Sequence, residues 1–149
     1  YMVPGLAFIG GDYRDFGAME SVASGTGIAM QARARFPDMA AQDTRAIFQA
    51  AEAGDLQAAA IVDEAVDYLT IMVANAVAMI DPDRIVLGGG VAQTSMGLGA
   101  RIEEKLTDLL PARPVICHWE LGAYASVKGA ATLVLDGLLS DILTDQRES

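Results

Sequence analysis

The chain has very little of what disulfides and metal centres require. Among its 149 residues there is one cysteine, Cys117, and one histidine, His118. A single cysteine excludes an intrachain disulfide and a cysteine-rich zinc site, and one histidine cannot hold a metal without carboxylates. We therefore expect no zinc, and we interpret His118 as a packed or surface side chain. This cysteine usage favours the reducing cytoplasm.

Basic residues are also scarce. Ten lysines and arginines stand against twenty aspartates and glutamates, which gives a formal net charge of −10 at pH 7. Nucleic-acid binding needs lysine and arginine side chains clustered on the phosphates, whereas here the basic residues are scattered along the chain. The composition therefore predicts that this chain binds no nucleic acid.

Long apolar runs are missing as well, although hydrophobic residues make up 52% of the chain. No stretch reaches the ~18 to 20 consecutive apolar residues that span a bilayer. The most apolar segment, residues 71–80, is flanked by Asp67 and Asp81, so we interpret it as a buried helix. No basic residues precede the first apolar run, which is therefore not expected to be a signal peptide. We expect no contact with a membrane.

The chain does have enough apolar residues to bury a core. Its length predicts a single domain, residues 1–149, in which 1–18 are irregular or form a short strand near Leu6–Ile9 and 141–149 form a frayed tail. The high apolar content further indicates that part of the surface packs on a partner lobe or subunit.

Helical periodicity is strongest over residues 56–80. Apolar residues recur there at three- and four-residue spacing for about seven turns, at Leu56, Ala59, Val62, Val66, Leu69, Val73, Val77 and Ile80. Asp55 is expected to cap this helix and Asp81-Pro82 to end it. Weaker patterns predict further helices over residues 19–36 (interrupted at 24–27), 43–53, 95–110 and 124–139.

Two short apolar runs, Ile85–Leu87 and Val115–Cys117, are typical of buried strands. Because a predicted helix separates them, we expect parallel strands joined by a right-handed crossover, and therefore an α/β fold. Three glycines, Gly88-Gly89-Gly90, follow the first strand. Glycine lets a backbone bend sharply and approach a ligand, and the N–H groups of such a turn can face an anion. A tight turn that binds nothing explains the three glycines about equally well.

Taken in order, these segments resemble the C-terminal part of ROK proteins, a family of bacterial sugar kinases and sugar-responsive repressors. The resemblance covers about Met19 to Leu135. It is carried by Glu20-Ser21-Val22-Ala23-Ser24-Gly25, Ala53-Gly54-Asp55, the long helix closing on Asp81-Pro82, Ile85-Val86-Leu87-Gly88-Gly89-Gly90-Val91 and Gly129-Ala130-Ala131.

This resemblance implies the C-terminal part of an actin-like, ribonuclease H-like ATPase lobe, in which helices pack on a small, mainly parallel sheet. It implies that a sugar binds in the cleft between two lobes and that ATP binds beside it with Mg²⁺. Gly88, Gly89 and Gly90 match the glycines that approach the nucleotide. Glu20 matches the glutamate that hydrogen-bonds sugar hydroxyls, although a glutamate that complements a helix dipole also explains that position. Thr94 and Ser95 are expected to cap the following helix, or to face a phosphate.

The chain also departs from the family pattern. The usual zinc loop, Cys-x-Cys-Gly-x-x-Gly-Cys, would fall at residues 13–19, which contain no cysteine. The upstream Glu-x-Gly-His element is absent, and so are the Asp-x-Gly-Gly-Thr phosphate loop and the Asn-Asp pair that carries the catalytic base. We therefore expect a C-terminal lobe without its N-terminal lobe, with no catalytic residue of its own and no activity alone.

Three functions stay open at this point. The intact protein is a kinase that transfers the ATP γ-phosphate to a hexose or amino-hexose, or this chain is the effector-sensing and dimerisation lobe of a ROK repressor. A degenerate module kept for dimerisation is the third hypothesis. In each case we expect a homodimer or higher oligomer, which pairs through the helix around Met30 or the small-residue helix around Gly129.

Overall fold

A computed structural model describes residues 5–39, 42–95 and 97–145. The chain forms two compact units, of which the first ends at His118 and the second begins at Trp119. The expectation of a single domain stays a prediction, because compactness alone does not decide whether two units fold together.

Helices make up most of the first unit. It contains α1 (Ala18–Ala23), α2 (Gly25–Arg35), α3 (Thr44–Glu52), α4 (Leu56–Ile80), β1 (Arg84–Leu87), α5 (Gly90–Thr94), α6 (Leu98–Leu106) and β2 (Val115–His118). Short 3-10 turns lie at Leu6–Phe8 and Pro37–Met39. The second unit contains a 3-10 turn at Gly122–Tyr124 and the helix α7 (Ala125–Asp145).

The long helix α4 supplies the middle of the core, and its predicted ends are confirmed. The Asp55 carboxylate accepts hydrogen bonds from the N–H groups of Gln57 and Ala58, at 2.8 and 3.0 Å, so it satisfies donors that no helical carbonyl reaches. At the other end Asp81 turns into the left-handed region at φ +43°. The buried face comprises Ala58, Ile61, Val62, Ala65, Val66, Thr70, Val73 and Val77.

The apolar stripe predicted for α4 is too long at both ends. Leu56 is 84% exposed and Ile80 is 70% exposed. Periodicity assigns residues to a face, but burial also requires a neighbouring element at that height along the helix. Leu109, within the predicted helix 95–110, is likewise 55% exposed, because it lies beyond the end of α6.

The predicted parallel pairing of the two strands is confirmed. Arg84 pairs with Val115 and Leu87 with His118, in register along the whole ladder. Helix α6 lies close to both strands at Gly99, where a Cβ would be 3.5 Å from Ile116 Cγ2 and 3.8 Å from Leu87 Cδ1. The α/β arrangement of a small sheet packed by helices is therefore present in the first unit.

Two local predictions are wrong. Residues 6–9 form no strand but a 3-10 turn over Leu6–Phe8, and the chain turns at Gly10 with a φ of +91°. The helix predicted over 95–110 is the shorter α6, Leu98–Leu106, and a separate short helix, α5, precedes it. Helix α7 extends to Asp145, and residues 146–149 lie outside the described part of the chain, so the frayed tail stays a prediction.

Candidate functional site

A cavity of about 460 Å³ opens at the carboxyl end of β1. The loop Gly88–Gly90 forms one part of its lining, and Ser24 and Gly25, where α1 ends and α2 begins, form another, called here the Ser24 wall. The floor is apolar and comes from α4 and α6, through Leu69, Met72, Val73 and Leu98. Ligands of open α/β sheets bind beyond the carboxyl ends of strands, which is where the Gly88–Gly90 part of this cavity lies.

The glycine loop contains one glycine that the backbone requires and one that it does not. Gly89 has a φ of +92°, in the region that side chains with a Cβ rarely adopt. Gly90 has no positive φ, and among the described residues no atom lies within 4 Å of a Cβ built on it. Neither conformation nor packing within the described chain therefore demands a glycine at residue 90.

The Ser24 wall is held by two hydrogen bonds. The Ser24 hydroxyl accepts from the N–H of Gly27 at 3.0 Å and so caps α2. The Thr44 hydroxyl, at the start of α3, donates to the carbonyl oxygen of Gly25 at 2.5 Å. The turn between α1 and α2 is therefore tied to two helices before any ligand arrives. Sequence reasoning included Ser24 and Gly25 in a motif but did not place them at the site.

Glu20 lies in the first turn of α1, one turn before Ser24, and does not line the cavity. It is exposed, and its Oε2 accepts a hydrogen bond from the N–H of Gly17 at 3.2 Å. This contact closes the start of α1, which agrees with the helix-terminal interpretation of Glu20. Its sugar-binding role stays a prediction.

The proposed capping of α6 by Thr94 or Ser95 is wrong. The Thr94 hydroxyl donates back to the carbonyl oxygen of Gly90, at 2.7 Å. The Ser95 hydroxyl donates to Glu52 Oε1 on α3, at 3.3 Å. Helix α6 begins after Gly97, which provides no side-chain cap. Both hydroxyls are therefore engaged within the chain.

A second cavity, of about 360 Å³, lies among α3, α4 and α6. Its polar lining is Glu52 with Ser95, and Asp63 in an ion pair with Arg101. No motif predicted this cluster, because its four side chains come from distant parts of the sequence. Each polar group in it already has a partner inside the chain.

In residues 5–39, 42–95 and 97–145, no group of three or more histidine, cysteine, aspartate or glutamate side chains could hold a metal ion. His118 is half-buried, with Nε2 3.5 Å from the position that a Cβ on Gly99 would take. The absence of zinc remains a prediction. No helix within these ranges is long and apolar enough to cross a membrane.

Residues 15–137 match the model of the ROK family. The bifunctional enzyme NanE/NanK of Brucella melitensis is 38% identical over 118 residues, which cover 79% of this chain and 22% of that enzyme. The N-acetylmannosamine kinase of Salmonella heidelberg is 33% identical over 122 residues, which cover 78% of this chain and 39% of that kinase.

Among solved structures, the ROK hexokinase from Thermus thermophilus is similar to this chain with a TM-score of 0.68 and 34% identity. The similarity covers 77% of this chain and 39% of the hexokinase. The predicted fold class, the C-terminal part of an actin-like lobe with a small parallel sheet, is therefore confirmed. The chain spans well under half the length of these relatives.

Proposed function

The chain belongs to the ROK family, and on that basis we propose that it is the C-terminal lobe of an ATP-dependent kinase for a hexose or amino-hexose. The observation that carries this proposal is the cavity at the end of β1, which Gly88–Gly90 line together with Ser24 and Gly25. Relatives named as a hexokinase and an N-acetylmannosamine kinase support a sugar kinase. They favour it over the repressor, whose effector-sensing lobe is the alternative.

In this proposal ATP enters with Mg²⁺ and places its phosphates along Gly88–Gly90. The open space above Gly90 supports this placement, because a ligand that approaches the backbone closely is what a glycine without a conformational role accommodates. The apolar floor formed by Leu69, Met72 and Leu98 suits the base of the nucleotide. Mg²⁺ neutralises charge that develops on the phosphates during transfer.

In the same proposal the sugar binds next to Glu20 and donates hydrogen bonds to its carboxylate. A carboxylate accepts hydrogen bonds from two neighbouring hydroxyls, and Glu20 is exposed with one oxygen bonded to Gly17. The γ-phosphoryl group passes from ATP to a sugar hydroxyl, and that hydroxyl loses its proton to a base. We assign no catalytic residue to this chain, so the base belongs to an N-terminal lobe and the chain alone is inactive.

The proposal also includes the cellular location of the protein and the absence of zinc. The protein works in the cytoplasm, where ATP and hexoses are available, and it binds no zinc, because one cysteine and one histidine cannot form a four-ligand site. Elemental analysis of the purified chain tests the last point. A stoichiometric zinc ion that survives dialysis would contradict it.

The nucleotide site is tested by the variant Gly90→Val in the full-length protein. Because a side chain at residue 90 meets open space, we expect the melting temperature to be unchanged while a non-hydrolysable ATP analogue binds at least tenfold more weakly. The matched control is Gly129→Val, another helical glycine with no described atom within 4 Å of its Cβ position, which should leave the affinity unchanged. Parental affinity in Gly90→Val would refute the nucleotide assignment.

A further inference from the structure

Three aromatic rings meet where the N-terminal segment crosses α4. The ring of Phe8 lies edge-on to Tyr68 of α4, with centroids 5.5 Å apart and planes at 84°. The same ring lies 5.5 Å from Tyr13 at an interplanar angle of 49°. All three side chains are half-buried. Edge-to-face and tilted pairs of this kind attract beyond the area they bury, so Phe8 joins the segment to the helix.

The segment between Phe8 and α1 has a defined shape of its own. It reverses at Gly10, and the Tyr13 ring then lies over Gly11, where a Cβ would be 2.4 Å from the ring. Arg14 forms a two-pronged hydrogen bond to the Asp12 carboxylate, at 2.9 and 2.6 Å. The segment therefore behaves as a small folded unit whose anchor on α4 is the ring of Phe8.

This unit ends next to Glu20. Gly17, four residues after Tyr13, donates its N–H to the Glu20 carboxylate. On α4, Tyr68 is followed directly by Leu69, which lines the glycine-loop cavity. One helix thus contacts both the aromatic rings that precede Glu20 and the cavity assigned to the nucleotide.

We propose that Phe8, Tyr13 and Tyr68 form an aromatic clasp, a set of positioning residues that orients the Glu20 carboxylate toward the sugar. This inference rests on the sugar role proposed for Glu20. The clasp acts through Gly17: while the segment stays on α4, the Gly17 N–H holds one carboxylate oxygen, and the other is presented to a sugar hydroxyl.

Loss of the clasp should disorient Glu20 without unfolding α1. Ala18, Val22 and Ala23 are the buried residues of α1, and none of them belongs to the clasp. The helix therefore keeps its place when the segment detaches, whereas the carboxylate loses its bond to Gly17 and samples several rotamers. Loss of the clasp should therefore weaken sugar binding and leave nucleotide binding unchanged.

The first experiment measures amide hydrogen exchange at Gly17 in this chain. We expect Phe8→Ala to accelerate exchange at Gly17 and to leave the amides within α4 protected. Tyr68→Phe keeps the ring that Phe8 contacts and should behave as the parent. Ile9→Ala is the matched control, because Ile9 is 72% exposed and adjacent to Phe8. Unchanged protection of Gly17 in Phe8→Ala would overturn the clasp.

The second experiment measures kinase activity of the full-length protein. Phe8→Ala should raise the hexose KM about tenfold, the change expected for loss of one well-oriented hydrogen bond, and leave the ATP KM unchanged. In a Glu20→Gln background it should have no further effect on the hexose KM. An equal rise in both KM values would overturn the positioning role. A parental hexose KM in Glu20→Gln alone would instead refute the sugar role of Glu20.

Discussion

The carbonyl oxygen of Glu20 lies against Gly27 at the point where α1 and α2 meet. A Cβ built on Gly27 would be 2.2 Å from that oxygen and 2.6 Å from the carbonyl carbon of Ser21. Both neighbours are backbone atoms, which cannot rotate away as a side chain can. The glycine therefore permits the close contact that keeps Glu20 and the Ser24 wall of the cavity within one compact turn.

We expect Gly27→Ala to lower the free energy of unfolding by about 1–3 kcal/mol, the usual range for overpacking. This loss opposes the gain of up to ~1 kcal/mol that alanine brings to a helix. Urea denaturation of the chain measures the difference. The control Gly129→Ala meets no described atom within 4 Å and should be neutral or stabilising. Equal effects of the two substitutions would show that α1 and α2 can separate at little cost.

A charge on the buried face of α4 should be severely destabilising. Val66 is fully buried in the core, so Val66→Asp places an unpaired carboxylate among apolar side chains and should cost several kcal/mol. Ala60→Asp introduces the same side chain at an exposed position of the same helix. Thermal melting of both variants is the measurement. If they melt alike, the buried face of α4 has been assigned incorrectly.

Tyr68 should make the chain less stable at high pH. Its burial, together with the nearby negative charges of Glu64 and Asp67, raises the pKa of Tyr68 above its usual value of 10.0. Tyr68 therefore ionises at a lower pH in the unfolded state than in the folded state. Its contribution to the free energy of unfolding is complete below about pH 10 and is lost as the pH rises through the folded pKa. Melting temperatures across the alkaline range measure this loss. Tyr68→Phe should lose less stability than the parent, and identical pH profiles would contradict the prediction.

Self-association is expected through apolar side chains that remain on the surface. Met30 on α2 is 55% exposed, and water penalises such surface at ~25 cal/mol per Å². Sedimentation at micromolar concentration should show a dimer or larger species, which Met30→Lys weakens. Gln57→Lys, which adds the same charge at an exposed polar residue of α4, is the control and should not change the assembly. A monomer at high concentration would exclude self-association.

Much of the helical structure could be predicted because it depends on contacts between residues close in sequence. Asp55 caps α4 with bonds to the next few residues, and Gly54 adopts a φ of +93°, as a residue just after a helix does. The helix predicted to begin at Ser95 begins only at Leu98, and the contact that Ser95 makes instead is remote in sequence. Ser95 forms a hydrogen bond to Glu52, 43 positions away, and no local sequence pattern predicts that contact.

The sequence by itself determined the long helix α4, the two paired strands and one side of the candidate site. Gly88–Gly90 follow an apolar strand, and that order alone places a flexible loop at the end of β1. Only the tertiary structure decided which residues share the cavity with this loop. It brings Ser24 and Gly25 to the lining of the cavity and the ring of Phe8 onto Tyr68, across about sixty positions of chain in each case. Such pairings come from the packing of helices on a shared core, which depends on all the apolar faces together and leaves no signal in any single segment.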